Sequence, residues 1–535
     1  MYAVAGSVAV WGLVSLLNRR VGKPSTLLRS DHGRELGLLE RWYSAHEGRG
    51  DRNIVYVMKM QGSPPSLDQL TQCMVDLCLK HKGLNCETVA TGDITKEAKE
   101  IIWQEIPTDS PHSSHPWAPV IIAVEREDEN AAKKVVQTLV NQNFQANLPP
   151  WRIHLVSNDT DNQFEIILSV NHLVADGISG MIICKELLHK LCEKSSPAQN
   201  YHYPIPEDPF FALEESLDTR PRLISILSSL FRVYVTERIS FLQRWKRGAF
   251  VPLGSDVRCL YTGEYECDSL SKELTSKLLQ KCKAEGVSVH SAICVAAHVA
   301  LAHLEDEINN TTVSTHSIQH CNNVNKQHQS KWTHKISTPT NLRRFAGINP
   351  QDNRLGVFIS RINYTRTING TSNIWSLARE IKEDVQHGVP SGIPVLGMIR
   401  FIPNLVKYLE MEFQKYPAGR DSTICLSNLG NQPILLPEEF EDGTKVPWKL
   451  LGINFTQQHH VGSGSSFMAS IVTCAGKLHI SICSAQPVIP VEWNQIVLSS
   501  IMNTLEAMTS SNPRTEISQI KTSLPVVSQA PVSRD

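Results

Sequence analysis

The stretch Phe164–Leu191, FEIILSVNHLVADGISGMIICKELLHKL, constrains the fold more than any other part of the chain. A short β-branched and aromatic run, Phe164–Val170, ends abruptly, as a buried strand does. Gly177 and Gly180 then permit a tight turn. Ser179 can cap a helix on which Ile183, Cys184, Leu187, Leu188 and Leu191 share one face. His172 and Asp176 stand at the junction. A histidine at the end of a strand is held by the sheet behind it and presented at an edge a substrate can reach, which suits a general base. The bare pattern is weak, because a chain with 20 histidines contains about one chance His-x-x-x-Asp. The added glycine lowers that expectation to roughly 0.05. From the residues alone, local packing of His172 beside an ordinary turn aspartate stays open next to the catalytic reading.

At 535 residues the chain is too long for one ordinary core and fits two large lobes or three domains. A net charge of -1 gives no basic stripe for nucleic acid, so no nucleic-acid partner is expected. The 13 cysteines lack a C-x-x-C pair, and several (Cys184, Cys192, Cys282, Cys294, Cys483) lie in apolar segments. They read as reduced core cysteines of a cytosolic protein, with no disulfide or metal framework.

Within residues 1–20, the run 1–17 carries no charged side chain and is followed, after Asn18, by Arg19 and Arg20. As a helix that run spans about 25 Å, short of a bilayer core of about 30 Å. Two readings stand: an anchor holding the body on the cytosolic face of an intracellular membrane, and an apolar helix docked on the body. Mixed strands and helices over 30–194 predict an α/β sandwich lobe with a helical opening at Arg34–Tyr43. Residues 195–255 read as a connector, whose basic, aromatic part 221–250 has two readings: a connecting helix packed on the body with its arginines in solvent, and a segment resting on an anionic membrane surface. A second lobe is predicted over 256–510. It contains a small-residue helix at Val287–Leu304 with His290 and His298 in the core. A polar surface loop is expected at 305–334, carrying His316, His320, His328 and His334. The strand Lys335–Thr340 leads to Asn341-Leu342-Arg343, and Thr423–Leu426 to Ser427-Asn428-Leu429-Gly430. Residues 511–535 read as a disordered tail.

The chain lacks a G-x-S-x-G elbow, a phosphate-cradling glycine loop and an H-E-x-x-H metal motif. A histidine base without a partner nucleophile suits direct deprotonation of a hydroxyl or amine attacking an activated thioester. Asp176 then reads as structural, held by a buried arginine, with Arg343 the leading partner.

Four stretches, in order, resemble the alcohol acetyltransferase family, within the superfamily of condensation domains and chloramphenicol acetyltransferase. They are Arg34-Glu35-Leu36-Gly37-Leu38-Leu39-Glu40, Asn171-His172-Leu173-Val174-Ala175-Asp176-Gly177, Pro339-Thr340-Asn341-Leu342-Arg343 and Ser427-Asn428-Leu429-Gly430. The resemblance covers about residues 30–510. It implies an α/β fold of two chloramphenicol acetyltransferase-like sandwich lobes around a central tunnel. Acyl-CoA, as co-substrate, would meet a hydrophobic alcohol there, with His172 as general base and no covalent intermediate. It also implies that Asp176, Gly177 and Arg343 support the site, that Asn171, Ser427, Asn428 and Gly430 line the tunnel, and that no cofactor or metal is bound. A monomer is expected. Asn171 stands where condensation domains usually carry a second histidine, and the Asp-Phe-Gly-Trp-Gly motif of plant hydroxycinnamoyl-type acyltransferases is missing. No residue is singled out for the CoA phosphates. Two alternatives remain: a silent acyl-CoA- or lipid-binding module, and an amine-acylating condensation-type enzyme.

Overall fold

The structure is a computed structural model that describes residues 27–30, 33–45, 53–88, 100–103, 117–144, 148–158, 162–193, 210–220, 262–316, 331–414, 416–440, 443–457, 464–522 and 524. The apolar segment 1–20, the basic stretch 221–250 and the histidines at 320 and 328 lie outside the described residues.

In the N-terminal half, β1 (Arg29–Ser30), β2 (Gly33–Glu35), β4 (Cys86–Thr88) and β5 (Glu100–Trp103) form a small sheet. The strands β3 (Asn53–Gln61), β6 (Ile121–Glu125), β7 (Trp151–Ser157) and β8 (Gln163–Asn171) build a larger one. The C-terminal half contributes β9 (Thr262–Ser269), β10 (Lys331–Asn341), β11 (Ile359–Asn369), β12 (Arg420–Asn431), β13 (Lys449–Gln457), β14 (Gly464–Cys474) and β15 (Lys477–Gln486). Six of these make a sheet in the order β11-β10-β12-β14-β15-β9. The seventh, β13, leaves its lobe and pairs antiparallel with β3, completing the order β13-β3-β8-β7-β6. The two α/β lobes therefore share a strand, and the boundary near residue 256 is not a clean division.

The period-two alternation of strands explains why β3 and β8 are apolar nearly throughout. Phe164, Ile166, Leu168 and Val170 pack with Tyr56 and Met58 under the helix Gly177–Leu191. Their alternates, Val55, Val57 and Ile167, meet Cys425, Met468 and Cys483 of the other lobe. In the C-terminal lobe the helix Val289–His316 is buried through Ala292, Ala296, Ala297 and Ala300, small residues that allow close packing against the sheet.

Four local expectations are corrected. The opening helix begins only at Leu38, because Arg34 belongs to β2. The expected loop 305–334 is helix as far as His316 and strand from Lys331, and His334 is fully buried. Period two puts His334 on the core face of β10 between Trp332 and Ile336, where it meets His298 at 3.0 Å, Nδ1 to Nδ1. The disordered tail is ordered as far as Leu524. Ile517 and Ile520 of the helix Ile517–Lys521, and Leu524 beyond it, fill the C-terminal core, a signal too short to register as periodicity. The helix after the active-site turn is capped by Asp176 rather than Ser179. No single helix among the described residues is long and apolar enough to cross a membrane.

Candidate active site

The strand β8 delivers the site. Its last residue, Asn171, pairs with Asn53 of β3, and the chain turns at once. Asn171 Oδ1 accepts from the Leu173 amide at 2.9 Å, and its carbonyl accepts from Val174 at 3.1 Å. Asn171 is thus a buried turn-former and is not among the residues lining the cavity, contrary to expectation; its neighbour Asn53 lines it instead.

Turned out of this bend, His172 faces a cavity of about 470 Å³ between the lobes. Its ring stacks on Tyr43 with centroids 4.0 Å apart and planes inclined by 17°. Burial pushes the His172 imidazole down to about 4, against the opposing pull of Asp176's negative charge. The ring is therefore neutral near pH 7, the form that can accept a proton. Its Nδ1 is buried in the turn, so Nε2 is the ring nitrogen that can meet a ligand in the cavity.

The helix carrying Tyr43, Leu38–Ser44, is fixed from behind by buried charge. Arg34 donates to both oxygens of Glu40 at 2.7 and 2.6 Å and to the Phe210 carbonyl at 2.7 Å. Glu214 accepts from the Leu38 amide at 2.8 Å. Nothing in the sequence spacing singles out Tyr43, because its partner is 129 positions away.

Asp176 does not engage the histidine through a hydrogen bond. Its carboxylate accepts from Arg343 Nη1 at 2.8 Å and Nη2 at 3.0 Å, and from the amides of Ser179 at 2.8 Å and Phe358 at 2.9 Å. Burial alone would raise its pKa. The Arg343 charge and these hydrogen bonds outweigh that effect and hold the carboxyl below the usual range. Arg343 also donates to Ser179 Oγ at 2.8 Å, and Ser179 Oγ donates to the Gly356 carbonyl at 2.8 Å. The group ties the active-site turn of one lobe to the Asn341–Phe358 segment of the other.

Glycines set the clearances. A Cβ on Gly177 would stand 2.5 Å from Leu429 Cδ2, and one on Gly180 would stand 2.2 Å from the Tyr56 ring. Tyr56 donates its hydroxyl to the Gly177 carbonyl at 2.9 Å. Neither glycine has positive φ, so they serve close approach rather than an unusual turn.

From the C-terminal lobe, Pro339, Thr340 and Asn341 of β10 and Ser427 and Asn428 of β12 line the cavity. Gly430 does not; it adopts a left-handed φ of 74° beyond the strand's bend and lines a second cleft. Trp42, Val395, Leu396, Ile399 and Ile402 give the main cavity an apolar wall. Arg361, also in the lining, donates to Asp421 at 2.9 Å and to Ser422 Oγ at 3.1 Å, so its charge is already matched. The Cys425 thiol lines the cavity, but burial pushes it up to about 11, where it is a poor nucleophile. No group of His, Cys, Asp and Glu among the described residues could hold a metal ion. The arrangement offers a neutral base on the wall of a largely apolar cavity between the lobes.

Comparison with known proteins places this geometry. The profile of the family described as alcohol acetyltransferase matches residues 124–495. Among solved structures, the trichothecene 15-O-acetyltransferase TRI3 of Fusarium sporotrichioides superposes with a TM-score of 0.63 at 14% identity, covering 91% of this chain and 97% of that one. The first condensation domain of the CDA synthetase superposes at 0.56 with 12% identity, covering 93% and 99%. A curated relative, a plipastatin synthase polypeptide of Bacillus subtilis, is 23% identical over 167 residues; these are 31% of this chain but 6% of that much longer protein. The structures share the two-lobed condensation-domain and chloramphenicol acetyltransferase-like fold. The profile covers more than two thirds of the sequence, and the chain belongs to the alcohol acetyltransferase family.

Proposed function

We propose that the chain transfers an acyl group, acetyl in the first instance, from an acyl-CoA thioester to the hydroxyl of an apolar alcohol. The observation that carries this reading is a neutral histidine, His172, presented to a chamber with an apolar wall where the lobes meet. The alcohol lies against Trp42, Ile399 and Ile402. Nε2 of His172 takes the hydroxyl proton as the oxygen forms its bond to the thioester carbonyl carbon. The tetrahedral intermediate collapses with cleavage of the carbon–sulfur bond. The imidazolium returns its proton to the departing thiolate, so an ester and a free thiol leave and the base is restored. Stacking on Tyr43 supports the ring while it is charged. Asp176 stays with Arg343 throughout and acts on the architecture of the turn.

The test is thiol release from acetyl-CoA with a panel of alcohols and amines, for wild type and His172→Ala. Loss of a general base costs about 10²–10⁴-fold in rate. Equal release by both proteins would sink the role of His172. N-acylated products without esters would move the assignment to an amine-acylating enzyme. Specific binding of acyl-CoA with no transfer would leave a silent binding module.

A further inference from the structure

The lining of the His172 chamber divides by element. Its Asn, Thr, Ser, Gln and Arg side chains all come from strands. The rest of the lining, His172 and Cys425 apart, is apolar, aromatic or glycine. The apolar side is built by Leu39 and Trp42 of the helix Leu38–Ser44, with Val395, Leu396, Ile399 and Ile402.

Strand register accounts for the polar side. Arg361 of β11 stands opposite Pro339 of β10, and Ser337, two positions back, stands opposite Cys425 of β12. Residues opposite one another share a face of the sheet, as do alternate residues along a strand. Cys425 packs with Val55 and Val57 of the N-terminal lobe. Arg361, Ser337, Cys425 and, two positions further on, Ser427 therefore look across the seam toward that lobe.

Arg361 is the only charged residue among the described residues that line the chamber. Its guanidinium donates to Ser337 Oγ, to Ser422 Oγ at 3.1 Å and to both oxygens of Asp421 at 2.9 and 3.3 Å. Burial works against the Asp421 carboxylate, yet the Arg361 charge holds the carboxyl below its usual range. The pair is thus ionised and neutral as a unit. Asp421 does not line the chamber, and its side chain is 11% exposed against 33% for Arg361. A ligand meets the N–H donors and not their counter-charge. An anion would find the positive charge already matched, whereas a neutral oxygen finds strong donors. Tyr43, which stacks on His172, also bears on the charge of Arg361, so base and donor are neighbours across one ring.

We propose that the acceptor is a two-sided molecule: an apolar skeleton that bears, besides the hydroxyl to be acylated, a second neutral oxygen (hydroxyl, ketone or ether) recognised by Arg361. The skeleton rests on Trp42, Ile399 and Ile402, the second oxygen accepts from Arg361, and the reacting hydroxyl meets His172. The assignment rests on the acyl-transfer reading and narrows its acceptor.

The experiment measures kcat/KM for decalinol and for a set of decalin diols and hydroxy-ketones, with acetyl-CoA as donor. Wild type should favour at least one oxygenated isomer over decalinol by about tenfold, the size of one hydrogen bond to a charged group. Arg361→Met combined with Asp421→Asn removes both charges together, so no unpaired charge is left buried. In that variant the ratio should fall close to one. The ratio is taken within one protein, so a smaller folded fraction cancels from it. Acylation of decalinol with no preference for any oxygenated isomer, or the same preference in the double variant, would overturn the assignment and leave the acyl-transfer reading standing. Calorimetric titration with the same compounds separates the two readings from the other side. Binding of an oxygenated isomer about tenfold tighter than decalinol, lost in the double variant, supports the assignment even if nothing is acylated, and only the transfer reading then falls.

Discussion

Replacing Asp176 by asparagine tests whether the aspartate belongs to the architecture or to the chemistry. Oδ1 accepts from Ser179 and Arg343 Nη2, and Oδ2 from Phe358 and Arg343 Nη1. Whichever way an asparagine is turned, its amide nitrogen faces two donors, and Arg343 loses its counter-charge while remaining buried. Breaking a buried pair costs about 3–5 kcal/mol. Arg343 retains Ser179 Oγ at 2.8 Å, so we expect the lower end, about 3 kcal/mol. Urea unfolding followed by tryptophan fluorescence should show the midpoint fall, and the pH profile of kcat/KM for the folded fraction should stay in place. Asp176→Leu combined with Arg343→Leu should lose less than the two single changes added, because no unpaired charge remains. Acid sensitivity reads out the same carboxylate. The folded carboxyl lies below its unfolded value near 4, so its stabilisation is complete above about pH 4 and is lost as pH falls through the lowered value. The asparagine variant should lack that component of acid sensitivity. An unchanged urea midpoint together with a displaced pH–rate profile would refute the architectural role and make Asp176 a tuner of His172.

Three further outcomes are expected. With the His172 imidazole held near 4 by burial, kcat/KM should be level between about pH 6 and 8 and should fall only as the ring protonates in more acid solution; a limb near 6.5 would mean that the ring is not enclosed in the working enzyme. Gly180→Ala drives a methyl into the Tyr56 ring and should cost about 2–3 kcal/mol, whereas Gly177→Ala meets only the flexible tip of Leu429, so the thermal midpoint of the former should be the lower. Removal of residues 512–535 deletes Ile517, Ile520 and Leu524 from the core and should lower the thermal midpoint by several degrees; an unchanged midpoint would return the segment to a tail without structural consequence.

Legibility in the sequence follows the range of the interaction. The turn bearing His172 is legible because a strand, two glycines and an apolar helix face sit within thirty residues. The Asp176–Arg343 pair is legible for another reason: an aspartate flanked by apolar residues needs a cation, and Arg343 follows a strand of the other half. Tyr43 is not legible, since an aromatic in a short amphipathic helix packs in the core far more often than on a distant imidazole. His334 is hidden because an alternation reading Trp, His, Ile does not look apolar, although the structure uses it as such. Asn171 misleads because adjacency to His172 suggests a shared surface, and the turn sends the two side chains different ways.

The exchange of β13 has a consequence for how the protein is made. The edge of β3 that β13 covers is complete only when residues 449–457 have left the ribosome, roughly 290 residues after β8. At synthesis rates of about 5–20 residues per second that is a delay of about 15–60 s. During it, the nascent N-terminal half displays an unpaired strand edge rich in Val, Met and Tyr, the kind of surface that recruits other chains. A fragment ending before β13 would keep that edge for good, so the two halves are expected to mature as one unit, with the N-terminal half held by chaperones until its missing strand arrives.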